Sequence, residues 1–235
     1  MSIQENYQKV QDIIEQACIR GNRDKNDVKV VAVTKYVDIE KTKTVIDLGI
    51  AHIGENVVQN AIPKYEALSA KVNWHFIGRL QTNKVKYIID KFQYIHSVDR
   101  LSLAEEINKR AKSLGIKTKC FIQVNISGED TKTGVSPMEV FDFVTQISAF
   151  DSIEVVGLMT MAPFEASREE IRSIFRSLRE LKDQINEKEL MKRPLTELSM
   201  GMSNDFEIAV EEGATFLRLG TILVGKNEKG MGEQA

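Results

Sequence analysis

Apolar and polar positions alternate along this chain in a repeating order. A short apolar or β-branched run comes first, then a polar junction, then the three-and-four spacing of an amphipathic helix. Ahead of the first such unit, Val10, Ile13, Ile14 and Ala17 share one face of a lone helix within residues 1–20, ended by Gly21 and Asn22. Val28–Thr34 predicts the first strand, and its apolar run implies burial on both faces. Asp38 is placed to cap the next helix, which stops at Gly49. Further strands are predicted at His52–Glu55, Asn73–Ile77, Tyr94–Val98, Thr118–Asn125, Ile153–Met159, Leu195–Ser199 and Thr215–Leu219. The helices between them run to about Ala70, over Asn83–Lys91, over Arg100–Leu114, from Ser136, from Ser167 and to Glu212. Two of these open on capping boxes: Ser136-Pro137-Met138-Glu139, with proline at the first helical position, and Ser167 with Glu170.

Eight strands alternating with helices are the pattern of a parallel α/β protein. Beyond the leading helix each unit has roughly 26 residues, compact but sufficient for a (β/α)8 TIM barrel. An open doubly wound sheet would want a glycine-rich turn after an early strand. The turn after the first strand is Lys35-Tyr36-Val37, without glycine. No linker or low-complexity tract divides the chain. The expectation is a single (β/α)8 barrel with an extra N-terminal helix, one domain over residues 1–235.

Composition narrows the function classes. The net charge is −2, from 32 basic and 34 acidic residues, so no basic surplus points to nucleic acid. The longest apolar run, Val30–Val33, has four residues, against about 20 for a membrane span. The N-terminus has neither the basic start nor the apolar stretch of a secretory signal. Two cysteines, Cys18 and Cys120, make neither a disulfide framework nor a metal motif, and fit a reducing compartment such as the cytoplasm.

In a barrel, chemistry sits at the C-terminal strand ends. Lys35 closes a wholly apolar run, where a surface lysine and an activated amine are both open readings. Low-dielectric surroundings would lower its pKa and make it a nucleophile for a carbonyl, giving a Schiff base with a sugar-like substrate or a pyridoxal cofactor. Ser199-Met200-Gly201-Met202-Ser203 and Gly220-Thr221 fall at the seventh and eighth strand ends, where barrels often bind phosphate. The stretch Gly220–Asn227 nearly matches a nucleotide P-loop. It is rejected because it ends Lys226-Asn227, has an apolar interior, and leaves too little chain for the required helix. His52, His75 and His96 lie on successive strands, but His52 opens its strand and the others are mid-strand. Convergence on a metal is therefore not expected, and core or rim histidines are. The basic residues from Arg79 to Lys91 read as a solvated helix face whose Gln81–Lys84 start could reach the pocket mouth.

Together these stretches resemble the YggS/PROSC family, the pyridoxal phosphate homeostasis proteins. The resemblance runs in order through Val31–Lys35, Ile53–Asn56 with Gln59, Trp74–Lys84, His96–Asp99, Gln123–Asn125 with Lys132 and Gly134, Gly157–Met161, Leu198–Ser203 with Asp205, and Arg218–Thr221. Tyr36 and Arg79 depart from the threonine and histidine of many relatives. The resemblance implies a fold-type III barrel like the N-terminal domain of alanine racemase, with no second β domain. It implies that Lys35 holds pyridoxal 5'-phosphate as a Schiff base, with Ser199, Ser203, Gly220 and Thr221 around the phosphate. Arg218 would approach the pyridine nitrogen, and Asn56 and Met200 would line the ring.

A guanidinium only donates hydrogen bonds, so it leaves the pyridine nitrogen unprotonated and the ring a poor electron sink. Alanine racemases also take a second base, a tyrosine, from a C-terminal domain, and this sequence ends about 15 residues after the eighth strand. The expected function is therefore a non-catalytic, cytoplasmic carrier in pyridoxal phosphate homeostasis, with no catalytic and no metal-binding residues. Its partners would be the cofactor and pyridoxal-dependent apoenzymes, not nucleic acid or membrane, and monomer and weak dimer both stay open. The alternatives are an amino-acid racemase of the alanine racemase type and, on Lys35 and the phosphate loops alone, a Schiff-base aldolase.

Overall fold

The computed structural model describes residues 2–68, 72–129 and 133–225. Eight strands form one closed parallel barrel in sequence order, with β8 pairing back onto β1. They are β1 (Lys29–Val33), β2 (His52–Glu55), β3 (Asn73–Phe76), β4 (Tyr94–Val98), β5 (Thr118–Gln123), β6 (Ile153–Met159), β7 (Glu197–Ser199) and β8 (Phe216–Leu219). The helices outside it are α1 (Ile3–Arg20), α2 (Ile39–Asp47), α3 (Val58–Leu68), α4 (Val85–Ile88), α5 (Leu101–Ser113), α6 (Val140–Ile147), α7 (Arg168–Glu187), α8 (Phe206–Glu211) and α9 (Thr221–Val224). The expected (β/α)8 TIM barrel with a leading helix is what the chain forms.

The large apolar layer lies between strands and helices, and includes Ile53, Trp74, Phe76, Leu103, Ile107, Phe175 and Leu217. A second, smaller cluster of Val31, Phe121, Met159 and Phe216 fills the barrel itself. The leading helix has a capping box of its own, Ser2 with Glu5. Its face of Val10, Ile14 and Ala17 is buried, and it packs on α8 and α9, the helices flanking the last strand. Arg23 reinforces this contact by donating to the Val210 and Ala214 carbonyls at 2.7 and 2.8 Å. At the helix stop it is Asn22, not Gly21, that takes the left-handed backbone, at φ 49°.

β1, β3, β7 and β8 are one or two residues shorter than predicted, and three other elements depart for identifiable reasons. The expected helix over Asn83–Lys91 is a 3-10 turn at Thr82–Lys84 followed by the single turn of α4. β5 stops at Gln123, and Val124, which still donates to the Met159 carbonyl, forms a separate bridge to Val135. The Ser136–Glu139 box does not form, and α6 starts only at Val140. Ser136 Oγ donates to the Glu139 carboxylate at 2.6 Å. Each side chain thus satisfies the other rather than a helical N–H. The expected box at Ser167 and Glu170 is present. Ala70, Lys132, Lys226 and Asn227 lie outside the described residues.

Candidate functional site

The upper rim brings Lys35 beside the β8 loop. Val31 pairs with Arg218 and Ala32 with Leu219, which places Gly220 against Val33, two residues below Lys35. On the other side Val33 pairs with Gly54, which sets Asn56 level with Lys35. Lys35 is half-buried, and its ammonium lies 4.5 Å from the centre of the Tyr36 ring. An aromatic face and solvent surround it, not the apolar enclosure that the preceding run implies.

The peptide before Lys35 is anchored by Lys64, which the sequence pattern does not single out, together with Glu55 and Thr34. Buried Lys64, on α3, donates to the Thr34 carbonyl at 2.6 Å and to Glu55 Oε1 at 2.8 Å. Thr34 Oγ1 donates to the same carboxylate oxygen at 2.6 Å. In sequence, Lys64 looks like a solvated helix lysine. Its one signal is its place on the stripe of Val58 and Ala61.

The β7 and β8 loops are tied together. Gly201 has φ +91°, and a Cβ there would stand 2.5 Å from the Ala209 methyl, so both conformation and room demand glycine. The Met202 N–H donates to Asp205 Oδ1 at 2.5 Å, and the Ile222 N–H donates to Ser203 Oγ at 3.3 Å. Burial raises the Asp205 carboxyl above its ordinary range, against the Met202 N–H and the Arg218 charge. A Cβ on Gly220 would meet nothing nearer than Val33 at 3.6 Å. The protein itself leaves room for a side chain there, and Thr221 beside it is exposed. Met200 is fully buried in the layer between barrel and helices, so its side chain walls the loop without surface on the pocket. Asn56 instead lines an adjoining cavity of about 570 Å³ with Gln59, Phe76, Arg79, Thr82 and Arg100. The Gln81–Lys84 turn reaches that cavity, as its sequence position suggests.

Arg218 is the buried cation of the site. Its Nη1 donates to Ser199 Oγ at 2.6 Å and its Nη2 to the Thr160 carbonyl at 2.9 Å. Burial pulls its pKa down to about 10, which still leaves it charged at neutral pH. Both partners are neutral and occupy two of five N–H groups.

From Ser199 a chain of rings descends through the barrel. His96 Nδ1 lies 2.8 Å from Ser199 Oγ, His75 Nδ1 lies 2.8 Å from His96 Nε2, and His52 Nδ1 lies 2.9 Å from His75 Nε2. The three histidines are thus bonded in series inside the barrel, a contact that their places along their own strands do not display. Register explains it. His52 pairs with Asn73, so His75 sits two residues higher. His75 pairs with Tyr94, so His96 is two higher again. The rings follow the diagonal stagger that closes a barrel. They form a file rather than converging on a point, and among the described residues no cluster is suited to hold a metal. Burial drives all three toward neutrality, His52 to about 4 and the others well below the usual imidazole value.

Comparison with known proteins bears on this arrangement. The sequence model of the family "Alanine racemase, N-terminal domain" matches residues 2–228. The pyridoxal phosphate homeostasis protein of Aquifex aeolicus is 43% identical over 97% of this chain and all of its own. That of Pseudomonas aeruginosa is 35% identical over 97% of each. This chain belongs to the pyridoxal phosphate homeostasis protein family. PipY of Synechococcus elongatus, solved with pyridoxal phosphate bound, superposes with a TM-score of 0.83 at 31% identity, over 95% of this chain and 100% of PipY. Alanine racemase of Clostridium difficile shares the fold, with a TM-score of 0.72 at 17% identity over 93% of this chain and 58% of the racemase.

Proposed function

We propose that this protein holds pyridoxal phosphate reversibly at the Lys35 rim and so limits the free aldehyde available to other amines, without turnover of its own. One observation carries the reading: among the described residues the buried Arg218 guanidinium is hydrogen-bonded only to neutral groups, with the Asp205 charge near it, on the strand that pairs with the one leading to Lys35. Removing a cation from water is costly unless an electron-rich partner compensates it. Gly220 leaves ligand room at the same place. PipY, solved with the cofactor, supports the same reading.

When bound, pyridoxal phosphate supplies an aldehyde that joins reversibly to a primary amine. Lys35 supplies that amine. Ser203, Gly220 and Thr221 hold the phosphate, and Gly201 shapes the loop that presents Ser203. Ser199 and Arg218 face the ring nitrogen. Because Arg218 donates hydrogen bonds and has no proton to give at neutral pH, it holds that nitrogen as an acceptor. An unprotonated ring is a poor electron sink, which disfavours carbanion chemistry without two well-placed bases. Asn56, level with Lys35, would bound the β2 side, where the adjoining cavity begins. Apoenzymes lacking the cofactor are the recipients.

The test is the absorbance spectrum before and after borohydride, with peptide mapping. The purified protein takes up the cofactor, borohydride fixes it to Lys35, and Lys35→Ala stays colourless. A wild type that takes up no added cofactor overturns the reading. Deuterium exchange at amino-acid α-carbons at enzyme-like rates, lost in Lys35→Ala, would replace it with a racemase-type function.

A further inference from the structure

The file of three histidines has no part in holding the cofactor as described above, yet it ends on Ser199. We propose that His52, His75, His96 and Ser199 form a two-state proton wire, joining the lower mouth of the barrel to the Arg218 end of the pocket. The histidines are then positioning residues that decide whether the Ser199 hydroxyl offers its hydrogen to a ligand.

A neutral imidazole has one N–H and one bare nitrogen. Each contact in the file joins the Nδ1 of one group to the Nε2 or Oγ of the next. Only two arrangements therefore make every bond. In one, all three rings carry hydrogen on Nδ1. Ser199 then accepts from both His96 and Arg218, and its own hydrogen is free to turn into the pocket. In the other, all three carry it on Nε2, and Ser199 donates downward to His96. A mixed set breaks at least one bond between buried polar atoms, at roughly 1–3 kcal/mol each.

The two states differ by one proton passed along the file. A proton taken up at His52 Nε2 releases its Nδ1 hydrogen to His75 Nε2. The Nδ1 hydrogen of His75 passes to His96 Nε2, and that of His96 to Ser199 Oγ. The original hydroxyl hydrogen of Ser199 leaves to an acceptor in the pocket. One proton enters, one leaves, and no ring keeps a charge.

The surroundings suit transfer rather than storage. The lower end lies beside the partly buried ion pair of Lys29 on β1 and Glu197 on β7, 3.2 Å apart. Lys29 and Glu197 are the charges that act on His52. Tyr94 on β4 stacks on His75 at 4.3 Å, and Lys119 on β5 reaches its hydroxyl at 3.5 Å. Phe121 stacks on His96 at 4.3 Å, and Phe216 on β8 covers the remaining side. Arg218 stands at the upper end. Cations at both ends disfavour a proton lodged between them.

The wire stands on the chain's own geometry, and only its outlet rests on the reading of the Lys35 pocket. Nitrogen-15 NMR of histidine-labelled, cofactor-free protein reads the tautomers directly. All three rings should share one tautomer and stay neutral at about pH 5.5, where an ordinary histidine is charged. Added pyridoxal phosphate should move the tautomer balance of all three together. His52→Phe removes the outermost link, away from the binding residues. It should still take up the cofactor, but with a shifted pH profile of the bound-cofactor absorbance. His52→Gln, which can bond to His75 in either direction, should return the pH profile of the bound-cofactor absorbance toward that of wild type. Mixed tautomers, an imidazolium in the file, or a His52→Phe profile identical to wild type would overturn the wire. If His52→Phe does not fold, the tautomers of the unaltered chain decide. Failure of the wild type to bind cofactor would instead sink the proposed function and leave the tautomer result standing.

Discussion

At the residue scale, two positions carry more than their type suggests. Lys64 sits where periodicity puts an apolar side chain, and it neutralises a carboxylate with no exposed surface. Removing one partner of a buried pair strands the other, typically at about 3–5 kcal/mol. Lys64→Met should therefore destabilise strongly in urea titration, and adding Glu55→Gln should recover much of the loss. An unchanged midpoint for Lys64→Met would contradict the pairing. Gly201 is the second. Gly201→Ala forces a left-handed backbone on an L-residue and a methyl against Ala209. The backbone alone costs roughly 1–3 kcal/mol. Both melting temperature and cofactor affinity should fall, because the loop presenting Ser203 moves with it.

At the element scale, α7 and α8 are joined by charge. Arg172, Arg176 and Arg179 converge on Glu212, and Arg172 also meets Glu211. Burial works to raise both carboxyls, but the arginines prevail and both lie below the ordinary glutamate value. A depressed carboxyl stabilises the fold above its unfolded pKa and loses that contribution as pH falls through the folded value. Thermal melts below about pH 4.5 should therefore fall less steeply for Glu212→Gln than for wild type. Equal slopes would remove this pair from the acid response. The elements also show what local pattern reveals. β2, β4 and β6 have the bounds their apolar runs predict. Ser136 and Ser167 open the same motif, and only the second caps a helix. The difference is a side-chain bond between Ser136 and Glu139, which composition does not display.

At the scale of the whole molecule, the candidate rim was legible and the interior was not. Lys35, Ser199, Arg218 and Gly220 could be read because barrel sites lie at strand ends, which local patterns locate. The histidine file could not, because it depends on register between strands. The same file sets the acid limit of the fold. Neutral in the barrel and chargeable when unfolded, each histidine draws stability away as pH falls below about 6.5, by up to about 1.4 kcal/mol per pH unit. For His52 the loss continues to about pH 4. Urea midpoints should thus fall between pH 6.5 and 5, before carboxylates titrate. Constant midpoints across that window would contradict burial of neutral rings.

Closure of the barrel has a consequence for synthesis. Lys35 follows the first strand and Arg218 lies on the last, and they share one end of the barrel only because β8 pairs with β1. On the ribosome, Lys35 emerges long before Arg218 and the β7 and β8 loops. The leading helix must likewise wait for α8 and α9. A nascent chain therefore displays Lys35 before the strand that closes the barrel beside it exists.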